Sequence, residues 1–297
     1  MKFFTTEGPV NCQDHYCLPP LERFDLNEIL NLIDRKKYFL LHAPRQTGKT
    51  SSLLALMTYL NQEGTYRVLY ANIENAQAAG ENIEMGMSEV VHSMAFSARD
   101  FLGDKNALFL AGEIVEQIPA TSAVKEFLNR WCHQDSKPSI LILDEVDALI
   151  GDVLISLLRQ LRSGYPACPE QFPQSIILCG VRDIKDYRIH SSREKAIITG
   201  GSAFNVKAKS LRMGDFTAHE TISLLNAHTI ETGQVFEPEA SCLAWKLTNG
   251  QPWLVNALAY EVCFEIKEGQ DRSRPITTEM IHAEKNINGL LPRLPFI

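Results

Sequence analysis

A short segment after the first apolar run combines the residue types that bind a phosphate group. Its sequence, APRQTGKT, matches the loop pattern G-x-x-x-x-G-K-[ST] except that Ala43 replaces the first glycine. In such a loop the backbone N–H groups cradle the phosphate, the lysine reaches the β- and γ-phosphates, and the hydroxyl ligates Mg²⁺. The predicted nucleotide-binding residues are Ala43, Pro44, Arg45, Gln46, Thr47, Gly48, Lys49, Thr50 and Ser51.

The flanking sequence supplies the elements that such a loop needs. The apolar run Tyr38 to His42 predicts a buried strand before the loop. Leucines on one side predict an amphipathic helix that begins at Lys49 and ends near Gly64. Alanine at position 43 suits the turn only if its φ is negative, because the first glycine of the pattern relieves crowding there.

A second apolar run ends in two carboxylates. Ser139 to Asp144 predicts a buried strand, and Glu145 follows it directly. At the carboxyl edge of a parallel sheet, where such sheets bind ligands, Asp144 would hold Mg²⁺ and Glu145 would polarise an attacking water as general base. The alternative is an ordinary acidic turn after a strand. Asp147 is expected to cap a helix rather than to bind a ligand.

Another strand, predicted from Ser175 to Val181, is followed by an arginine. Arg182 at this edge would contact the γ-phosphate or stabilise charge in the transition state; the alternative is a surface salt bridge with Asp183. Arg159 and Arg162 follow the acidic strand end on a predicted helix. Each is either a finger reaching into a neighbouring copy's site or part of a solvated helix face.

Strands and helices alternate through the first two thirds of the chain, which predicts an α/β fold with a parallel sheet covered on both faces. The final strand is expected at Phe204 to Ala208, and the chain is helical in pattern from Phe216 onward. The predicted domains are therefore a core that carries the phosphate loop, over residues 1–214, and a helical domain over residues 215–297.

Composition limits the classes of partner. The 297 residues carry 29 Lys and Arg against 36 Asp and Glu, a net charge of −7, and 45% are hydrophobic. An acidic chain is not built for non-specific binding to nucleic acid or anionic membranes. No apolar stretch approaches a membrane span, and no signal peptide is evident. Seven cysteines without disulfide-like spacing predict reduced thiols in the cytoplasm.

Three residues near the N-terminus are of types that commonly bind a metal ion. Cys12, His15 and Cys17 lie close together, but a structural zinc ion takes four ligands and the sequence offers no second pair. The cluster is therefore not expected to bind zinc.

Five segments, in this order, resemble the bacterial AAA-like and archaeal-type ATPases near the STAND group, in the additional-strand, catalytic-glutamate division of the P-loop NTPases. They are APRQTGKT at 43–50, ILILDE at 140–145, CGVRD at 179–183, DFTAHE at 215–220 and NGQPW at 249–253. The resemblance covers residues 15 to 285.

The resemblance implies a three-layer αβα sandwich with strand order 5-1-4-3-2 and a C-terminal helical lid over ATP or ADP with Mg²⁺. It also implies that Pro252, two residues after Gly250, packs against the adenine, and that the segment from Tyr16 to Arg23 lines the same pocket. From the residues alone, Pro252 also suits the first turn of a helix, and the two interpretations are compatible.

The leading hypothesis is a cytoplasmic, Mg²⁺-dependent ATPase in which Lys49, Glu145 and Arg182 act on the γ-phosphate and nucleotide state moves the lid. The rival is a nucleotide-gated binding or signalling module with negligible turnover. A kinase with a small acceptor is a third interpretation, disfavoured because Glu145 suits water activation. A protein partner is expected, a homo-oligomer is an open alternative, and neither nucleic acid nor membrane is indicated.

Overall fold

Five parallel strands form the central sheet of the computed structural model, which describes residues 1–182, 189–190, 197–198 and 209–283. In chain order they are β1 (Phe39–His42), β2 (Arg67–Asn72), β3 (Ser139–Asp144), β4 (Ser175–Gly180) and, after a short antiparallel pair β5 (Ile189–His190) and β6 (Ile197–Ile198), β7 (Lys209–Arg212).

The spatial order of the sheet is β2-β3-β4-β1-β7. Counted within the sheet this is 2-3-4-1-5, which is the expected order 5-1-4-3-2 read from the other side. The prediction of a parallel sheet is confirmed. The fifth strand lies at Lys209–Arg212; the segment expected to form it, Phe204 to Ala208, lies outside the described residues.

Both faces of the sheet are covered. Alternate residues such as Leu40, Leu141 and Leu178 belong to a large apolar cluster with the helices that follow β2 and β3. The intervening residues, such as Phe39 and Ile142, are also fully buried. Strands buried on both faces, with helices between them, make the α/β three-layer sandwich that the apolar runs predict.

Eleven helices accompany the strands in the described ranges. They are α1 (Leu26–Asp34), α2 (Lys49–Glu63), α3 (Ile83–Leu102), α4 (Asn106–Gln117), α5 (Ala120–Cys132), α6 (Gly151–Gly164), α7 (Ala218–Thr232), α8 (Pro238–Thr248), α9 (Pro252–Tyr260), α10 (Lys267–Gln270) and α11 (Thr278–Ala283). None of them is both long and apolar enough to cross a membrane.

Local sequence explains where several helices begin. The Asp25 side chain accepts a hydrogen bond from the Glu28 amide at the start of α1, as expected for an N-cap. Thr217 and Glu220 form a reciprocal capping box at the start of α7. Helix α2 begins at Lys49 and ends at Glu63, which confirms the predicted bounds.

The chain forms two compact units. The sheet unit consists of residues 25–43 and 53–212, and the helical unit consists of residues 1–24, 44–52 and 213–297. The helical unit thus takes in the N-terminal segment and the phosphate loop. The division into 1–214 and 215–297 stays a prediction about domain boundaries.

The helical unit has its own apolar core. Phe4 and Tyr16 from the N-terminal segment are buried in one cluster with Leu225, Val255 and other residues of the C-terminal helices. The Tyr16 hydroxyl lies 3.2 Å from Nδ1 of the fully buried His228, and burial raises the pKa of Tyr16 to about 12. The first 24 residues are therefore an integral part of this unit.

Candidate functional site

The phosphate loop leaves β1 without strain at its first position. Ala43 has a negative φ, as its size requires, and its amide donates to the Gly180 carbonyl over 3.2 Å. The left-handed conformations occur later in the loop, at Gln46 (φ +60°) and Gly48 (φ +88°). Glycine at position 48 therefore meets a backbone requirement, whereas the missing first glycine is not needed.

Lys49 is held against its own loop. The side chain is 5% exposed, and its Nζ donates to the Pro44 carbonyl over 3.0 Å. The same carbonyl accepts from the Thr47 hydroxyl over 2.8 Å. Thr50 is half-buried and Arg45 is exposed. The loop thus carries a sheltered positive charge at the position that the sequence pattern assigns to phosphate contact.

A cavity of about 200 Å³ lies within the helical unit, and the phosphate loop forms one of its walls. The loop side is lined by Gln46, Thr47, Gly48, Ser51 and Ser52. The opposite walls come from the N-terminal segment and from α7 and α9, including Thr6, Tyr16, Leu18, Arg23, Phe216, Leu224, Pro252, Trp253 and Asn256. Pro252 thus lines the same cavity as the phosphate loop.

Hydrogen bonds hold the N-terminal segment against two walls of this cavity. The Val10 amide donates to the Ser51 hydroxyl over 2.9 Å, and the Trp253 indole N–H donates to the Thr6 carbonyl over 2.9 Å. Five residues of the segment from Tyr16 to Arg23 line the cavity: Tyr16, Cys17, Leu18, Pro20 and Arg23. Their contact with adenine stays a prediction. Sequence inspection did not indicate the stretch from Thr5 to Val10, because its backbone groups make the contacts.

The prediction of reduced thiols is wrong for two of the seven cysteines. Cys12 and Cys17 form a disulfide with their Cα atoms 5.5 Å apart. Cys17 also lines the cavity, so the disulfide closes a short loop in its wall. Because the two sulfur atoms are bonded to each other, neither is a thiolate for a metal ion, and His15 Nδ1 accepts from the Asn11 amide instead.

Arg23 supplies a cation to the cavity wall that the motifs did not single out. Its guanidinium lies over the Phe216 ring, 4.4 Å from the centroid, and donates to Glu220 and to the Gly214 carbonyl. Burial lowers the pKa of Arg23, and the Glu220 carboxylate opposes that shift. The arginine therefore fixes the start of α7 against the N-terminal segment.

A tight turn brings Pro252 into position. Gly250 has φ +72°, and a Cβ there would overlap the Phe216 carbonyl oxygen. The Phe216 amide in turn donates to the Gly250 carbonyl over 2.7 Å. Pro252 then occupies the first turn of α9 and is buried. Pro252 therefore begins a helix, as its residue type predicts, and it also lines the cavity. Its packing against the adenine stays a prediction.

Two buried polar atoms on the cavity walls have no hydrogen-bond partner among the described residues: Ser52 Oγ and Asn256 Oδ1. The amide nitrogen of Asn256 donates to the Pro252 carbonyl over 2.8 Å, which fixes which end of the amide is the acceptor. Buried polar atoms are usually hydrogen-bonded, so a ligand with its own polar groups fits such a cavity better than an apolar one.

In the sheet unit, the carboxyl ends of β1, β3 and β4 lie at one edge of the sheet. Asp144 is the last residue of β3. The carboxylate is fully buried. Its Oδ2 accepts from the Tyr70 hydroxyl and its Oδ1 from the Glu145 amide, each over 3.0 Å. Burial, followed by the Asp144 charge, raises the pKa of Tyr70, so its hydroxyl remains a donor.

Glu145 leaves the strand in a left-handed conformation, with φ +58°, and is half-buried. Such a φ is uncommon for a residue with a side chain and is found at functional sites. It turns the chain sharply, so that Glu145 and Asp144 are separated from the start of α6 by a short 3-10 turn, Val146–Ala148.

Asp147 does not cap a helix, contrary to expectation. It lies in the 3-10 turn, and its Oδ1 accepts from the Val181 amide over 3.1 Å, so it joins the end of β3 to the end of β4. A Cβ at Gly180 would lie 2.6 Å from this oxygen. In the sequence, the one sign of this hydrogen bond is the small residue Gly180 directly before Val181.

Arg182 follows β4 by two residues and is exposed. The sheet unit therefore places Ala43, Asp144, Glu145 and Arg182 at one edge, while the helical unit places much of the phosphate loop and Pro252 around one cavity. Asp183 lies outside the described residues, so the alternative ion pair is not tested. Arg159 and Arg162 are exposed on α6, as a solvated face requires.

The residues predicted to ligate a metal, Thr50 and Asp144, carry oxygen donors of the kind that Mg²⁺ binds, rather than the nitrogen and sulfur donors typical of zinc. That the two residues share one site stays a prediction. In the described part of the chain there is no group of three His, Cys, Asp or Glu residues that would form an all-protein metal cage.

No protein-family model and no curated protein matches the sequence. Solved structures do match the fold. A Walker-type ATPase of Pyrococcus abyssi superposes with a TM-score of 0.60 at 16% identity, over 98% of this chain and 79% of that one.

Two further structures are similar. Cdc6p from Pyrobaculum aerophilum has a TM-score of 0.53 at 15% identity, over 86% of this chain and 62% of that one. Domain III of the replication initiation protein DnaA from Thermotoga maritima has a TM-score of 0.51 at 13% identity, over 97% and 99%. At these identities the likeness concerns the fold alone, an α/β three-layer sandwich with C-terminal helices.

Proposed function

We propose that the protein binds ATP and hydrolyses it to ADP and phosphate. The observation that carries this proposal is the phosphate loop itself: a buried strand, a loop with Gly48 at φ +88° and a sheltered Lys49, and then a helix. The fold of the P-loop ATPases supports the proposal, since this is the loop that binds nucleotide phosphates in that fold.

The cavity of the helical unit is proposed to hold the base. Pro252 and the half-buried Trp253 offer a rigid apolar wall for stacking, and the loop forms the wall across from them. The backbone N–H groups of residues 44–51 would bind the phosphates, with Lys49 neutralising charge on the β- and γ-phosphates. The choice of ATP over GTP rests on the family resemblance.

At the sheet edge, Glu145 is proposed to act as general base. It would accept the proton of a water molecule that attacks the γ-phosphorus atom as the bond to the β–γ bridging oxygen breaks, and that oxygen would leave on ADP. Arg182 would stabilise the charge on the transferred group. Thr50 and Asp144 would hold Mg²⁺, which neutralises phosphate charge when bound.

Phosphate release from purified protein tests this assignment. We expect Glu145→Gln to lower the steady-state rate by about a hundredfold or more, because general-base catalysis contributes about 10²–10⁴-fold, while ADP affinity stays within twofold. Glu74→Gln is the matched control: Glu74 is exposed just after β2, at the same edge of the sheet, and its loss should change neither quantity.

The same measurement separates the ATPase from a nucleotide-gated module. Equal rates in the wild type and Glu145→Gln would remove Glu145 as the base. Equal and negligible rates, with nucleotide tightly retained, would favour a module that acts by presenting its helical unit to a protein partner.

Assembly is the second proposal that the motifs support, through Arg159 and Arg162 on the exposed side of α6. Chromatography with light scattering, in ADP and in a non-hydrolysable ATP analogue, tests it. Assembly in the analogue alone would support an arginine supplied by a neighbouring copy; a monomer in both nucleotides would argue against it.

A further inference from the structure

Tyr70 lies next to the buried carboxylate that ends β3. Strands β2 and β3 pair in register, with Tyr70 opposite Ile142 and Asn72 opposite Asp144. The tyrosine is 5% exposed, and its hydroxyl reaches two positions along the neighbouring strand to donate to Asp144 Oδ2 over 3.0 Å. No motif includes this residue, which is 74 positions before its partner.

The hydrogen bond from Tyr70 is one of several contacts that hold Asp144. The Glu145 amide donates to the other carboxylate oxygen, and the Asp144 carbonyl accepts from the Ile73 amide over 3.1 Å. A carboxylate has about four lone-pair sites, and a donor on each of its two oxygens orients its plane. Both the main chain and the side chain of Asp144 are thus held by β2 and by the turn after β3.

We propose that Tyr70 is a positioning residue for the Mg²⁺ site, acting through Asp144; this inference rests on the proposed function. The hydroxyl holds the carboxylate in one orientation before nucleotide and metal arrive. Groups that orient a metal ligand typically change metal affinity about 10–100-fold when they are removed.

Removing only the hydroxyl isolates this role. Phenylalanine at position 70 keeps the ring in the core and removes the donor to Asp144 Oδ2. The carboxylate is then held less firmly in the orientation that suits the metal. Because Tyr70 does not belong to the phosphate loop, nucleotide affinity without metal should remain unchanged.

Tyr38 offers a matched control in the same unit. Its side chain is 3% exposed, and its hydroxyl also donates to a buried oxygen, the Pro173 carbonyl, over 3.2 Å. Tyr38 directly precedes β1 and Pro173 precedes β4, so this bond lies at the amino edge of the sheet. Tyr38→Phe removes an equivalent hydroxyl with no link to Asp144.

The experiment measures binding of a fluorescent, non-hydrolysable ATP analogue in EDTA and then over a Mg²⁺ titration. We expect Tyr70→Phe to bind within twofold of the wild type in EDTA and to need about tenfold more Mg²⁺ at the midpoint. Tyr38→Phe should match the wild type in both. Mn²⁺ bound to the analogue complex, counted by electron paramagnetic resonance, gives a second readout without turnover.

A double-mutant cycle with Asp144→Asn guards against a general loss of stability. If Tyr70 acts through Asp144, adding Tyr70→Phe to Asp144→Asn should have no further effect on the Mn²⁺ count. Equal Mg²⁺ midpoints in the wild type and Tyr70→Phe, an equal shift in Tyr38→Phe, or wild-type binding that ignores Mg²⁺ would overturn the inference. Failure of the wild type to bind the analogue in either condition would instead overturn the proposed function.

Discussion

The acidic end of β3 and the cavity beside the phosphate loop differ in how their buried polar atoms are hydrogen-bonded. At the strand end, each oxygen of the Asp144 carboxylate accepts a hydrogen bond from the chain itself. On the cavity walls, Ser52 Oγ and Asn256 Oδ1 are buried with no partner in the described part of the chain. The carboxylate at the strand end is therefore oriented before a ligand arrives, whereas the cavity keeps buried polar atoms without hydrogen bonds.

This difference separates two tasks. A group that stabilises developing charge works best when it needs no reorganisation, and its orientation must come from the protein. A binding cavity gains affinity when the ligand satisfies polar atoms that the protein leaves unpaired. Changes in the helical unit should therefore affect folding and ligand affinity, and changes at the sheet edge should affect metal dependence and rate.

The largest effect is expected from the turn that places Pro252. Gly250→Ala should lower the free energy of unfolding of the helical unit by about 3 kcal/mol, because the new Cβ overlaps the Phe216 carbonyl oxygen and φ is +72°. Gly180→Ala, at the sheet edge, should cost less, since its Cβ would meet a side-chain oxygen, that of Asp147, rather than backbone.

Urea unfolding followed by circular dichroism measures both variants. Gly214→Ala is the control, because a Cβ there would meet no atom within 4 Å. Equal stability of Gly250→Ala and the wild type would mean that the turn is not as tight as described, and the placement of Pro252 would lose its physical reason.

An intermediate effect is expected at the apolar wall of the cavity. Trp253→Ala should weaken ADP binding by about tenfold, since stacking of a base on an aromatic ring is worth about 1–3 kcal/mol. Trp253→Phe keeps a ring and should lose less, although it breaks the bond to the Thr6 carbonyl. Isothermal titration calorimetry gives both affinities.

The control for this tryptophan is Trp245→Phe. The Trp245 indole donates to the Phe216 carbonyl, and the residue is not part of the cavity lining. A loss of affinity in Trp245→Phe equal to that in Trp253→Phe would indicate a change in folding rather than in base contact.

The smallest effect is expected from pH. Burial lowers the pKa of His228 below the ordinary value of 6.5, so the folded state holds it neutral while the unfolded state takes up a proton as pH falls through 6.5. Stability is therefore full above pH 6.5 and declines below it, by at most about 1.4 kcal/mol per pH unit. Urea unfolding between pH 7.5 and 5.5 measures the slope.

His228→Gln should flatten this slope, because the titrating group is gone. His228 forms hydrogen bonds with Tyr16 and Gln234, which belong to the helical unit. The free energy of unfolding of the sheet unit, measured without ligand, should therefore not show the same dependence on pH. An unchanged slope in the variant would assign the pH effect to another group.

Predictability from the sequence differed between elements for identifiable reasons. The strand β3 and its acidic end were predicted correctly because the five residues before Asp144 are all buried and apolar or small. The strand Lys209–Arg212 was not predicted, because Lys209 and Arg212 break any apolar pattern; among the described strands it lies at the edge of the sheet, beside β1.

For the N-terminal segment, the sequence predicted the local conformation but not the tertiary contacts. Its breakers, Gly8 and Pro9, predict irregular structure, and their pattern says nothing about which part of the chain it joins. Contacts such as Tyr16 with His228 decide that, across 212 positions. The Cys12–Cys17 disulfide was likewise not evident, since a spacing of five residues suits a loop of free thiols equally well.

The sequence by itself determined the features whose causes lie within a few residues: the loop from Ala43 to Thr50, the start of α2, the cap of α1 at Asp25 and the buried strands. Only the tertiary structure decided that Tyr70 donates to Asp144, that Asp147 holds the end of β4, and that Gly250 fits under Phe216. The physical reason is range. Backbone conformation and amphipathic period are local, whereas the hydrogen bonds that orient a buried carboxylate come from strands far apart in the chain.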